Sequence, residues 1–152
     1  LNKSMFTSAV QKAQLEIIRA LAFHFDEVNP AVKSALDFEL FDEPILKKLG
    51  GLLIKEKKGV ELSAMIDQFN DRQEQELVSE ILFDEVHSDD PVQIIQECLA
   101  TLKGRLIKDK IKTARLKMRE LESLDQDTET IVLEVAELQK QLQSLTVSQD
   151  QE

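Results

Sequence analysis

From Pro91 to about Ser123 no residue interrupts a helical pattern, and that stretch constrains the fold more than any other in the chain. Such a helix has about 32 residues and is about 50 Å long at 1.5 Å per residue, longer than a domain of this size is wide. Asp89 or Asp90 stands ready to cap it, and Pro91 suits a first turn where the missing donor costs nothing. Gly104 is the expected point of flexure. After the polar turn "SLDQDT", the apolar spacing of the preceding stretch repeats. Ile107, Ile111, Ala114, Met118 and Leu121 step by four and three residues, as do Ile131, Val135, Leu138, Leu142 and Leu145. Two matching seams across a short turn predict an antiparallel helical hairpin. Asp127 is the expected cap of its second arm, and Glu129 suits the positive end of the helix dipole.

The residues before Pro91 also read as helices. "MFTSAVQKAQLEIIRALAFHF" places Phe6, Val10, Ala13, Ile17, Ala20, Leu21 and Phe25 at helical steps until Asn29-Pro30 breaks the run. "AVKSALDFELF" is a short irregular or helical piece. Asp42 or Glu43 before Pro44 opens a helix that buries Leu46, Leu49 and Leu53 and ends at Gly59. Gly50-Gly51 in its interior costs roughly 1 kcal/mol per residue relative to Ala, so this helix needs tertiary support. "VELSAMIDQFND" and "RQEQELVSEILF" follow as two short helices, the second with Leu77, Ile81 and Leu82 inward. The expected fold is therefore all-α. It has a compact multi-helix body over 1–103, a long connecting helix starting near 91, a C-terminal antiparallel helical hairpin over 104–146, and a frayed tail over 147–152.

Charge is distributed unevenly along this frame. Ten cations face nineteen acids in residues 1–102, eight face one in 103–119, and one faces nine in 120–152. The net charge of −10 argues against DNA or an anionic membrane as partner of the whole surface. On a helix the cations of 103–119 spread around most of the surface outside the seam, and Glu129, Glu134 and Glu137 on the second arm are expected to pair with them. Exposed pairs of that kind contribute only ~0.2–1 kcal/mol each, enough to set register more than stability. Leu116 lies about 200° from Ala114, and Leu133 about 200° from Ile131, so both point away from the seam, towards a partner or, for Leu116 equally, towards the body of the same domain.

Signs of catalysis are missing from the sequence. There is no glycine-rich phosphate loop and no Cys-x-x-Cys pair, and His24 and His87 lack a second histidine or cysteine at ligand spacing. Cys98 shares the apolar side of the long helix with Leu99 and Leu102, which suits a packing thiol rather than a nucleophile. A lone cysteine also fits a reducing, cytoplasmic setting. The 42% hydrophobic and 32% charged content excludes wholesale disorder, and no apolar run approaches the ~20 residues of a membrane helix. The chain begins at Leu1 rather than Met, so a fragment of a longer protein is expected.

Four segments in order carry a resemblance: "KAQLEIIRAL", "FDEPILKKLGGLLIKEKKGVEL", "IQECLATLKGRLIKDKI" with Cys98, Leu99 and Leu102, and "VAELQKQLQSL". Together, from about Met5 to Leu145, they resemble the C-terminal helicase-interaction domain of bacterial replicative DNA primases (DnaG). Gln14 departs from the acidic residue common there, and Gly50-Gly51 is an unusual helix interior. The resemblance implies a non-catalytic domain, without cofactor or metal of its own, that docks on the N-terminal domains of the hexameric replicative helicase (DnaB). Its parent would be a primer-synthesising RNA polymerase with zinc and a divalent metal elsewhere. The terminal hairpin is the implied anchor. Applying the exposed-face argument to it selects Leu116, Arg119, Leu133, Glu137 and Gln141 as partner-binding residues. The resemblance also implies that the acidic tail of single-stranded DNA-binding protein is a partner, met by Lys12 and Arg19 or by the cations of 103–119. Two other readings stay open: a helical nucleic-acid-binding module using residues 103–119, and the N-terminal domain of the replicative helicase itself.

Overall fold

In the computed structural model the chain is all-α. The structure describes residues 6–56, 62–83 and 90–150, and the side chains of all of these except 56, 62 and 146–150. Among these residues there are seven α-helices, two short 3-10 turns and no strand. The chain divides into two compact units, Leu1–Leu102 and Lys103–Glu152.

The first unit is built on α1 (Ala9–Phe23), which starts later than its apolar spacing suggests because Ser8 stops it. The Gln11 N–H donates to Ser8 Oγ at 3.0 Å and the Ser8 N–H donates to Gln11 Oε1 at 3.2 Å, so two otherwise orphaned donors are satisfied reciprocally. Helix α1 ends at Phe23, short of the expected break at Asn29-Pro30: the His24 N–H donates the last bond, to the Ala20 carbonyl at 2.9 Å, and a 3-10 turn at Phe25–Glu27 follows. The Asn29 side chain accepts from the Val32 N–H at 2.9 Å and opens α2 (Pro30–Ala35). A 3-10 turn at Phe38–Leu40 leads to α3 (Pro44–Glu56), where the Glu43 carbonyl accepts the first helical bond from Lys47. Two short helices follow, α4 (Leu62–Ile66) and α5 (Arg72–Phe83).

Helix α1 packs against α3 and α5. Ile17, Ile18 and Leu21 meet Leu46 and Leu49 of α3, the four consecutive-turn residues Leu77, Val78, Ile81 and Leu82 of α5, and Ile95 further on, in one buried core. Burying each such side chain contributes about 1.5–3 kcal/mol, which is what holds these short helices in place.

Two features of this unit differ from the sequence expectation. Gly50 is not merely a weak spot in α3. The Phe38 ring lies where its Cβ would be, and that ring is edge-on to Phe41 with centroids 5.2 Å apart. Gly51 faces open space, so only Gly50 is needed for close packing. Gln14 is fully buried and bonded through both ends of its amide: its Nε2 donates to Asp42 at 2.6 Å, and its Oε1 accepts from the Glu43 N–H at 3.1 Å. A neutral amide can serve both neighbours because it carries a donor and an acceptor; an ionised carboxylate could only accept.

Helix α6 (Pro91–Ser123) runs unbroken for 33 residues and continues through Gly104. Asp90 begins it, accepting from the Gln93 N–H at 3.0 Å and offering its carbonyl to Ile94. Asp89, His87 and Gly59 lie outside the described residues. Helix α7 (Glu129–Asp150) completes the chain. It extends past the end of the seam at Leu145, so most of the expected frayed tail has helical backbone. "TVSQD" contains no glycine or proline to stop it.

Candidate functional site

The second unit consists of the C-terminal part of α6 and the whole of α7. Its seam is the one that the four-three spacing predicts: Ile111, Ala114, Ile131 and Leu138 are buried, and Ile107, Met118, Leu121, Val135, Leu142 and Leu145 are half-buried. Two helices pack one stripe of each arm, and most described residues off those stripes are exposed.

The turn between the arms is closed by backbone geometry. Gln126 N–H donates to the Leu121 carbonyl at 2.9 Å and Asp125 N–H to Glu122 at 3.1 Å, the paired bonds of a Schellman cap. Asp125 has the left-handed φ of 54° that this cap needs, in the position usually held by glycine. Asp127 acts one residue earlier than expected. The cap position itself belongs to Thr128, whose carbonyl accepts from Val132, while the Asp127 carboxylate accepts from the Glu129 N–H at 3.0 Å.

The expected ion pairing between the arms does not form among the described residues. The cations of 103–119 make one pair there, Arg105 with Asp109 at 3.4 Å, inside α6. The reason is angular. Gln139 and Glu137 lie about 100° to either side of the buried Leu138, so the two flanks of α7 differ in chemistry. The flank with Gln139 carries no acid at the groove described next, and exposed pairs gain too little to pull long side chains across.

That groove is the principal feature the sequence reading missed. Lys108, Lys112, Arg115 and Arg119 step by four, three and four residues, each directly after a seam residue, and fall within about 60° of one another around α6. Half of the eight cations therefore form one row. With Ile111, Leu116, Gln139 and Leu142 they line a groove of about 500 Å³. Its wall is cationic, and its apolar surface comes from Ile111, Leu116 and Leu142. Reading the cation spacing against the seam spacing would have found it.

The structure brings two of the five expected contact residues, Leu116 and Arg119, into this groove; Leu116 is 55% exposed. Leu133, Glu137 and Gln141 step by four residues along the opposite flank of α7, all exposed, with Leu133 at 65%. They form a second stripe and not a continuation of the first. Leu106, Leu124 and Val132 are further exposed apolar residues of this unit that the expectation omitted.

His24 Nδ1 sits 2.6 Å from Glu27 at the end of α1. Cys98 is half-buried, and burial, followed by the nearby Glu16 and Glu97, pushes its thiol up to about 11, which disfavours the reactive thiolate at neutral pH. Among the described residues no helix is long and apolar enough to cross a membrane, and no three His, Cys, Asp or Glu side chains gather as metal ligands would. No family model, curated protein or solved structure matches this chain.

Proposed function

We propose that this chain is the helicase-interaction domain of a bacterial replicative primase, a cytoplasmic, non-catalytic module that docks on the helicase N-terminal domains through its hairpin. One observation supports the reading above the others. The hairpin uses a single stripe of each arm for its own seam and leaves Leu116, Leu133 and a row of four cations facing outward. Exposed apolar side chains at helical spacing, and arginines, are what partner surfaces anchor on. The primer-synthesising chemistry, with its zinc and divalent metal, belongs to other parts of the parent protein.

Calorimetry against purified helicase N-terminal domains tests this. Micromolar or tighter binding is expected, lost on deleting residues 124–152. It is expected to weaken at least about tenfold in Leu116→Asp or Leu133→Asp, surface variants that keep native circular dichroism. Unchanged affinity in all three variants would show that the hairpin is not the anchor.

The cation row favours a second reading, a nucleic-acid-binding module. It requires affinity for single-stranded DNA that falls steeply with salt, and negligible binding at 50 mM salt would remove it.

A further inference from the structure

We infer that the groove beside the hairpin seam is a receptor for an acidic amphipathic helix of about three turns, a partner segment carrying carboxylates on one flank and an apolar residue between them. The inference rests on the hairpin being a docking surface and specifies the chemistry that it takes.

Length is the first argument. From Lys108 to Arg119 the row spans eleven helical steps, about 16 Å, which is three turns of a helix laid alongside. Cations at four-three-four spacing match acids at the same spacing on a facing helix, as flanking charges do in paired helices. The second argument is that the charges are available. None of Lys108, Lys112, Arg115 and Arg119 is in an ion pair with another described residue, and the α7 side of the groove offers Gln139 and Leu142, with no carboxylate. Third, the groove is amphipathic. Leu116, Ile111 and Leu142 lie among the cations, so an occupant needs an apolar side chain as well as negative charge.

Two other features weigh against a phosphate backbone as the occupant. Nucleic-acid grooves of this kind combine cations with aromatic stacking platforms. All seven Phe residues lie before residue 84, and the chain has no Trp or Tyr, so the hairpin has no ring to offer. Residues 120–152 carry nine acids against one cation and repel a polyanion that extends beyond the groove.

The test uses the full chain and fluorescence anisotropy with three probes: an acetylated 18-residue Leu/Glu peptide with leucines at four-three spacing, its scrambled isomer, and a 20-mer of oligo-dT. The ordered peptide is expected to bind more tightly than the other two. Lys112→Glu/Arg115→Glu, a double variant at two exposed positions, is expected to lose at least about tenfold at 50 mM salt, with the difference shrinking at 300 mM. A Leu/Lys version of the ordered peptide should recover binding to that variant. Equal binding of the scrambled peptide, equal or tighter binding of oligo-dT, or no loss in the double variant would each overturn the inference. Calorimetry with helicase N-terminal domains separates the two readings. If those domains bind wild type and double variant equally and the ordered peptide does so too, the groove assignment fails and the helicase reading stands. If they bind neither while the ordered peptide binds as described, the helicase reading fails and the groove assignment stands.

Discussion

Gly50 and Gly51 are neighbours in one helix and should respond in opposite ways to the same change. At Gly51 an added methyl meets open space, so Gly51→Ala is expected to stabilise the chain by about 0.5–1 kcal/mol through helix propensity alone. At Gly50 the methyl meets the Phe38 ring, which is held against Phe41. Overpacking of that kind costs about 1–3 kcal/mol, so it outweighs the propensity gain and Gly50→Ala is expected to lower stability. Urea melts of the two variants check this, and a stabilised Gly50→Ala would mean that the Phe38 contact is soft. Glu43 provides a pH-dependent case in the same region. Burial, with the adjacent Asp42, raises its pKa above the ordinary 4.5, despite the opposing hydrogen bond from the Ile45 N–H. The folded chain therefore holds more protons on Glu43 than the unfolded chain does. Its contribution falls as pH rises from 4.5 through the raised value. Glu43→Gln is expected to flatten that part of the stability-versus-pH curve, measured by thermal melts between pH 4 and 7; an unchanged slope would show that the burial has no such effect.

At the scale of elements, the hairpin turn contains a residue that its geometry does not favour. Asp125 takes the left-handed conformation that glycine takes without strain. Asp125→Gly is expected to stabilise the hairpin by roughly 0.5 kcal/mol, the relief of strain being partly offset by the freer unfolded chain, whereas Asp125→Val should cost about 1–2 kcal/mol. Thermal melts followed at 222 nm report both, and a Val variant as stable as wild type would argue against the cap. The sequence made much of this element legible. Its seam residues follow a period that only a helix pair explains, and Asp90-Pro91 marks the start of α6. Other features needed three dimensions. The fit of Phe38 against Gly50 joins residues whose spacing carries no periodic signal, and the double role of Gln14 depends on α1 meeting the start of α3. The groove lies between these cases. Its cation spacing was present in the sequence, but counting charges around the whole helix hid the row of four.

Across the whole molecule, stability should not be uniform, and α6 is where the difference can be read, because one unbroken helix belongs to both units. Before Lys103 it contributes Ile95, Leu99 and Leu102 to a core that gathers residues from α1, α3 and α5. After Lys103 its buried residues belong to the seam with α7, in which Ile111, Ala114, Ile131 and Leu138 are the buried residues. A helix pair with one buried stripe is marginal by itself, and local opening draws on the least-supported elements first. Amide hydrogen exchange is therefore expected to show the slowest exchange in α1, α5 and residues 95–102. Residues 107–121 and all of α7 should exchange faster and together, as one opening unit. Leu138→Ala should accelerate that second group by tenfold or more, since removing a buried leucine side chain costs about 2–5 kcal/mol, and leave the first group unchanged. Equal protection along the whole of α6 would show that the hairpin draws support beyond its own seam. A hairpin that opens as a unit also bears on its proposed role. An occupant of the groove touches both arms, at Arg115 and at Gln139, so it should slow exchange across the whole hairpin.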